Sequence, residues 1–238
     1  ATALSGISTI KWTTDFDSIF NTLMNLSKHV FLNTNEHLRA VVEVETRTAR
    51  FIKECKARYP LHQYHRLAPM MHKFRAVKET EEIDQIQKAC DITEAGFRRV
   101  LDFVKPGVLE YEIEAEYLHQ FIKSGSRGFA YEPIIGSGRN ACVLHYLDNS
   151  VTCKDGDLIL MDVGAEYGNY NADMTRTIPV NGRFTKRQRQ IYEAVLRVQR
   201  QAMAMLRPGV DIQSYHKEIG LIMEGELLSL GLIDQTDI

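Results

Sequence analysis

Apolar side chains recur every three or four positions along four segments of the chain. This spacing is typical of helices that bury one face, and stop signals in the sequence support it. Lys105-Pro106-Gly107 closes the first segment, and Gly125 closes the second. The pattern therefore predicts helices at about 80–104, 110–123, 186–206 and 212–230.

The beginning of the chain is less regular. The apolar run in "KHVFLN" predicts a buried strand near residues 28–33. Apolar positions from Glu36 to about Arg58 follow helical spacing, and Tyr59-Pro60 should end that helix because a residue before proline avoids the α region. Residues 60–78 hold two prolines and little periodicity, so we interpret them as a linker with a strand-like or irregular centre.

Residues 130–180 have a different texture, in which short apolar runs alternate with Gly, Asn and Asp. This alternation is typical of strands joined by tight turns. The clearest predicted strands are "CVLHYL" at 142–147 and "DLILMDV" at 157–163, with a turn at "KDGD" between them. Strands flanked by pairs of helices predict an α+β fold, in which helices cover an antiparallel or mixed sheet.

The composition argues against several classes of function. The chain has 238 residues and a formal net charge of −2, which gives no reason to expect nucleic acid or a membrane surface as a partner. No apolar stretch reaches the roughly 18 residues that a membrane-spanning helix requires. The four cysteines, at 55, 90, 142 and 153, lack metal-ligand spacing and predict reduced thiols in a cytoplasmic protein.

Two aspartates stand out within the stretch "LMDVGAEYGNYNADMT". Asp162 ends an apolar run, and Asp173 follows a turn-like segment. If the hairpin turns on Tyr167-Gly168, the two aspartates lie directly opposite each other, with Cβ atoms roughly 4.5–5.5 Å apart. A turn on Gly168-Asn169 would instead place Thr175 opposite Asp162.

Two neighbouring carboxylates repel each other, so a pair held in place needs an offset. One carboxyl group could hold a proton, an arginine could lie between the two, or bound metal cations could neutralise them. Arg176 is close in sequence, but its parity puts it on the other face of a regular strand. The alternative is that both aspartates are ordinary exposed residues of a hairpin.

Longer motifs narrow these alternatives. "GSGRNACVLHY", "DLILMDVGAEY" and "ADMTRTIPVNG" occur in that order, and together they resemble the proline-specific aminopeptidases P of the creatinase/prolidase/methionine-aminopeptidase superfamily. The resemblance is strongest from about Tyr131 to Gly209. It implies the first half of a pita-bread catalytic domain at residues 71–238, preceded at 1–70 by part of a smaller N-terminal domain that often mediates oligomer contacts.

The resemblance also implies roles for particular residues. Asp162 and Asp173 correspond to the first two ligands of a dinuclear metal centre, usually manganese, in which Asp173 bridges the two ions. His145, in "VLHY", corresponds to an active-site histidine that contacts the substrate near the scissile bond; the alternative is a histidine satisfied in the core. The implied substrates are peptides with proline at the second position, and the implied assembly is a homo-oligomer.

The implied centre has three further ligands, a histidine and two glutamates on later strands. The chain ends at Ile238 before such segments, so we expect a fragment of a longer enzyme that is inactive in isolation. Two carboxylates alone leave most coordination positions of a manganese ion to water, which predicts weak affinity.

The implied reaction is metal-dependent hydrolysis of an N-terminal Xaa-Pro peptide bond. Two other functions stay open at this point. One is a prolidase that cleaves only Xaa-Pro dipeptides, and the other is a non-catalytic binding module or fragment. The presence of both aspartates favours an enzyme as the parent protein.

Overall fold

The structure, a computed structural model, describes residues 2–34 and 44–236. The chain divides into two compact units, Ala1–Glu79 and Thr80–Ile238. The elements of the first unit are α1 (Thr2–Ser5), a 3₁₀ helix (Thr13–Asp15), α2 (Phe16–Leu26), β1 (His29–Leu32), α3 (Arg47–Arg58), β2 (Gln63–Arg66) and α4 (Ala68–Ala76).

The first unit contains a two-stranded parallel sheet. β1, which the sequence predicted at 28–33, pairs with β2 from His29 opposite Gln63 to Leu32 opposite Arg66. The interpretation of residues 60–78 as a linker is therefore wrong apart from its strand-like centre, because β2 and α4 occupy most of that stretch. The second proline lies in the first turn of α4, where a fixed φ suits a helix and no backbone donor is lost.

The helix predicted from Glu36 to Arg58 begins later than expected. Residues 36–43 lie outside the described residues, and 44–46 are not helical. α3 starts at Arg47 because Thr46 is its N-cap, with Oγ1 accepting a hydrogen bond from Ala49 N at 3.1 Å. The spacing of apolar residues did not predict the helix start at Arg47, because this spacing carries no information about caps.

The second unit places strands between two pairs of helices, as the sequence predicted. The four predicted helices end within one residue of their expected bounds. The elements are α5 (Thr80–Phe103), α6 (Glu110–Lys123), β3 (Ile134–Ser137), a 3₁₀ helix (Gly138–Cys142), β4 (Leu158–Val163), β5 (Glu166–Tyr167), β6 (Tyr170–Asn171), β7 (Met174–Pro179), α7 (Lys186–Met205) and α8 (Ile212–Ser229).

An antiparallel sheet with the order β3-β4-β7 forms the centre of the second unit. The residues of β4 alternate strictly between its two faces. Ile159, Met161 and Val163 are fully buried in a core that also contains Ile92 of α5 and Tyr117 of α6. Asp162 therefore lies on the opposite face, because successive side chains of a strand point to opposite sides.

The predicted strand "CVLHYL" does not form. Residues 138–142 make a 3₁₀ helix, and the chain then turns through His145, whose φ is 53°. That value lies in the left-handed region, which is incompatible with an extended strand. Leu144 is 93% exposed, so the apolar run does not contribute to the core in the way that a buried strand would.

The hairpin that follows β4 turns on Gly168-Asn169. The φ values of these two residues are 60° and 66°, and positive φ at both central positions is the requirement of a type I′ turn, whose twist matches that of the flanking strands. The register sets Thr175 opposite Asp162. The prediction that Asp162 faces Asp173 directly is therefore wrong, and the alternative turn is the one that forms.

A glycine sits at the junction between β4 and this hairpin. A Cβ atom on Gly164 would lie 1.9 Å from the carbonyl oxygen of Ala172 and 3.1 Å from Cε1 of Tyr131. The amide of Ala130 also donates to the Gly164 carbonyl at 2.8 Å. Three backbone segments thus meet at a point where only glycine leaves enough room.

We expect Gly164→Ala to lower the free energy of unfolding by about 2–3 kcal/mol or more, because a backbone has to move to make room. Gly220→Ala is the matched control: it lies in α8 with nothing within 4 Å of the added methyl group. That substitution should leave stability unchanged or raise it by about 0.5–1 kcal/mol. Equilibrium unfolding in urea measures both, and equal stability of the two variants would contradict the close packing at Gly164.

Candidate metal centre

Asp162 and Asp173 lie on the same face of the sheet. Asp162 is half-buried near the end of β4, and Asp173 is exposed immediately before β7. The same register runs through both parts of the hairpin, with Asp162 opposite Thr175 and Glu166 opposite Asn171. This register makes the two aspartates diagonal neighbours on one face of the hairpin.

The hydroxyl group of Tyr131 lies between the two carboxylates. It donates to Asp162 Oδ1 at 2.7 Å and lies 3.2 Å from Asp173 Oδ1. The distance between Asp162 Oδ1 and Asp173 Oδ1 therefore cannot exceed the sum of these two distances. Burial, together with the hydrogen bonds and negative charges of both aspartates, raises the pKa of Tyr131, so its proton stays on the phenol.

In the part of the chain that the structure describes, no basic side chain offsets the two negative charges. Within the described ranges, neither Asp162 nor Asp173 forms an ion pair with Lys, Arg or His. Arg176 pairs across the sheet with Met161, on the other face, and its Nη1 donates to the Thr175 carbonyl. The parity argument from the sequence is thus confirmed, and an arginine between the aspartates is excluded for this part of the chain.

The chemistry of the pair fits a hard divalent cation. Carboxylate oxygens are ligands that magnesium, calcium and manganese prefer. A cation between Asp162 and Asp173 would also remove the repulsion that the Tyr131 hydroxyl relieves only in part. In the described residues, no group of three or more His, Cys, Asp or Glu side chains is arranged to hold a metal ion.

His145 lies on the turn that follows the 3₁₀ helix Gly138–Cys142. It is exposed, so it is not a core histidine. The described residues offer its ring no hydrogen bond to Asp162 or Asp173. The structure therefore brings the two predicted ligands together but does not join His145 to them directly.

Tyr131 was missed by the sequence analysis as a member of this site. It is separated by 31 residues from Asp162 and by 42 from Asp173, so no local spacing connects the three. The residue lies beside "EP" in an irregular stretch before β3, where an aromatic side chain usually reflects packing. Only the tertiary structure shows that its hydroxyl group is shared by two acids.

Comparison with known proteins places this site in a family. The sequence profile of metallopeptidase family M24 matches residues 84–234, which include both aspartates, Tyr131 and His145. The chain belongs to metallopeptidase family M24. Its α+β fold is the one that the sequence and the resemblance to pita-bread proteins predicted.

The similar proteins are named as aminopeptidases. The Xaa-Pro aminopeptidases of Escherichia coli and Haemophilus influenzae are each 41% identical over 165 residues, or 69% of this chain. A zinc-substituted aminopeptidase P of Escherichia coli in complex with product superposes with a TM-score of 0.82 and 34% identity over 96% of this chain.

The M24 chain spans only part of each relative. It covers 37% and 38% of the two Xaa-Pro aminopeptidases and 52% of the aminopeptidase P structure. The structural match extends over almost all of the chain, so the M24 fold is shared well beyond the motifs. Among the described helices, none is both long and apolar enough to cross a membrane.

We expect Tyr131→Phe to weaken manganese binding by the full-length protein about tenfold, because partners that orient metal ligands typically contribute 10–100-fold to affinity. Tyr170→Phe is the control, since its hydroxyl donates to Glu82 at 2.7 Å and the variant also loses a bond to a carboxylate. Titration calorimetry measures both affinities. Equal affinities in the two variants would show that Tyr131 does not orient the site.

Proposed function

We propose that the protein carrying this chain hydrolyses the N-terminal Xaa-Pro peptide bond with the help of bound metal ions. The observation that carries the proposal is the convergence of Asp162 and Asp173 on one hydroxyl group, with no basic partner among the described residues. This arrangement is costly in a protein that binds no cation. Membership of an M24 metallopeptidase family and the names of the relatives support the same reaction.

We further propose a pair of manganese ions at this site. Asp162 and Asp173 would supply two of the ligands, with Asp173 shared by both ions, and a longer protein would supply the others. When bound, such a pair provides an activated water near neutral pH and polarises the carbonyl under attack. By itself, we expect the 238-residue chain to bind manganese weakly and to have no peptidase activity.

The described side chains have separate tasks in this proposal. Tyr131 would restrain the orientation of both carboxylates, which would hold the cation. His145 is exposed and has no competing hydrogen bond among the described residues, so it is available to a substrate. Its ring can donate a hydrogen bond to the scissile carbonyl oxygen, where negative charge develops during attack.

The proposal also covers the role of the first unit and the compartment in which the protein works. We propose that the first unit is part of a smaller N-terminal domain, which contributes contacts to a homo-oligomer. All four cysteines are free, and Cys90 and Cys142 are exposed. Free exposed thiols favour a reducing compartment such as the cytoplasm.

The full-length protein should release the first residue of Xaa-Pro-Xaa tripeptides when manganese is supplied. Asp162→Asn should lower kcat/KM more than about 100-fold, because it removes a ligand charge and frees Tyr131 from its partner. Asp102→Asn, an exposed position on α5, should have no effect. The measurement is steady-state hydrolysis with each protein loaded with the same metal.

The outcomes of this assay separate the candidate functions. Activity on a tripeptide supports an aminopeptidase, whereas activity on Xaa-Pro dipeptides alone would identify a prolidase. Full activity of Asp162→Asn would contradict the assignment of the metal centre. Complete inactivity of the metal-loaded, unmodified protein on both substrates would leave a binding module as the better description.

A further inference from the structure

A buried carboxylate holds together the segment that carries His145. Glu110, at the start of α6, is fully buried. Its side chain accepts four hydrogen bonds, from Ser137 N at 2.7 Å, Ser137 Oγ at 2.8 Å, the Tyr146 hydroxyl at 2.8 Å and Val151 N at 2.9 Å. Each carboxylate oxygen therefore accepts two bonds, so these four donors satisfy the buried carboxyl group.

The four donors belong to three residues that lie before, within and after a single loop. Ser137 ends β3 at the beginning of the loop, Tyr146 lies within it, and Val151 follows its end. One carboxylate thus fixes the strand residue before the loop, a residue within it and a residue after it. This arrangement explains how residues 143–150 hold a definite conformation without forming the strand that the sequence predicted.

Asn149 provides a second anchor for the same loop. Its side chain is buried, accepts from Ile135 N at 3.0 Å, and donates to Pro133 O and to Glu114 Oε2, both at 2.9 Å. Its φ of 41° is left-handed. A buried amide with this many partners ties the end of the loop to the backbone around β3.

His145 lies between these anchors in a conformation that needs support. Its φ is 53°, whereas Tyr146 next to it is buried with 8% of its surface exposed. Left-handed backbone at a residue other than glycine persists when the surroundings determine it, and such residues cluster at functional sites. The buried Tyr146 hydroxyl is the nearest fixed point in sequence to the exposed His145 ring.

We propose that Glu110 is a positioning residue that acts on His145 through the hydroxyl of Tyr146. The inference rests on the proposed function, in which His145 contacts the substrate. The hydrogen bond to Glu110 fixes Tyr146, and Tyr146 in turn fixes the backbone of the adjacent His145. The imidazole of His145 is therefore already oriented when the substrate binds. Losing this bond should lower kcat rather than raise KM, because a misplaced group weakens the transition state more than the ground state.

The test uses Tyr146→Phe in the full-length, metal-loaded protein, because Glu110→Gln would turn an amide nitrogen toward backbone donors and endanger folding. We expect kcat on a Xaa-Pro-Xaa tripeptide to fall about tenfold, with KM changed less than about twofold. Tyr117→Phe is the control. It removes another buried hydroxyl of this unit, whose contact is the Met161 sulfur at 3.7 Å, and it should keep the original kcat.

A double-variant cycle separates positioning from general stability. If Tyr146 acts through His145, adding Tyr146→Phe to His145→Ala should cause little further loss of kcat. A purely structural role would lower kcat by a similar factor in both backgrounds. Hydrogen exchange supplies a readout apart from activity: amides of residues 143–148 should exchange faster in Tyr146→Phe than in Tyr117→Phe.

The results distinguish this inference from the proposed function. An unchanged kcat in Tyr146→Phe, an equal loss in the His145→Ala background, or unchanged exchange of the loop would overturn the positioning role while leaving the peptidase assignment intact. Failure of the unmodified protein to hydrolyse any Xaa-Pro bond would overturn the proposed function and this inference together.

Discussion

The sheet of the second unit holds two negative charges on one face, and the rest of the site is arranged around that constraint. Asp162 cannot turn away, because its neighbours Met161 and Val163 are fixed in the core on the opposite face. Tyr131 donates a single hydroxyl hydrogen to the pair, and among the described residues no other side chain is recorded as a donor to either carboxylate. In the function that we propose, a cation is the partner that satisfies both acids at once.

The elements that the sequence predicted well are those that depend on local information. α5, α6, α7 and α8 follow from apolar spacing, and the ends of α5 and α6 also follow from breaker residues, all of which act within a few positions. β4 follows from its run of apolar residues, whereas only the structure shows which of them face the core. The same local argument gave two possible hairpin registers, and only the left-handed preference of Gly168-Asn169 decides between them.

The mispredicted strand "CVLHYL" depends on a partner far away in the chain. "CVLHYL" has the composition of a strand, but Glu110 and Asn149 satisfy the loop with side-chain hydrogen bonds in place of a neighbouring strand. Glu110 itself resembles an ordinary acidic residue in the first turn of a helix, where it would favour the helix dipole. Its burial, which reveals its role, follows only from the packing of α6 against the loop.

The site combines these two kinds of information. The aspartates were identified from motifs, whereas Tyr131 required the fold, and its position depends on the close approach at Gly164.

The most direct test of the account is anomalous diffraction from crystals of the full-length protein grown with manganese. The account predicts an anomalous peak within coordination distance of both Asp162 and Asp173. A peak elsewhere, or no peak at the aspartates under saturating manganese, would contradict it.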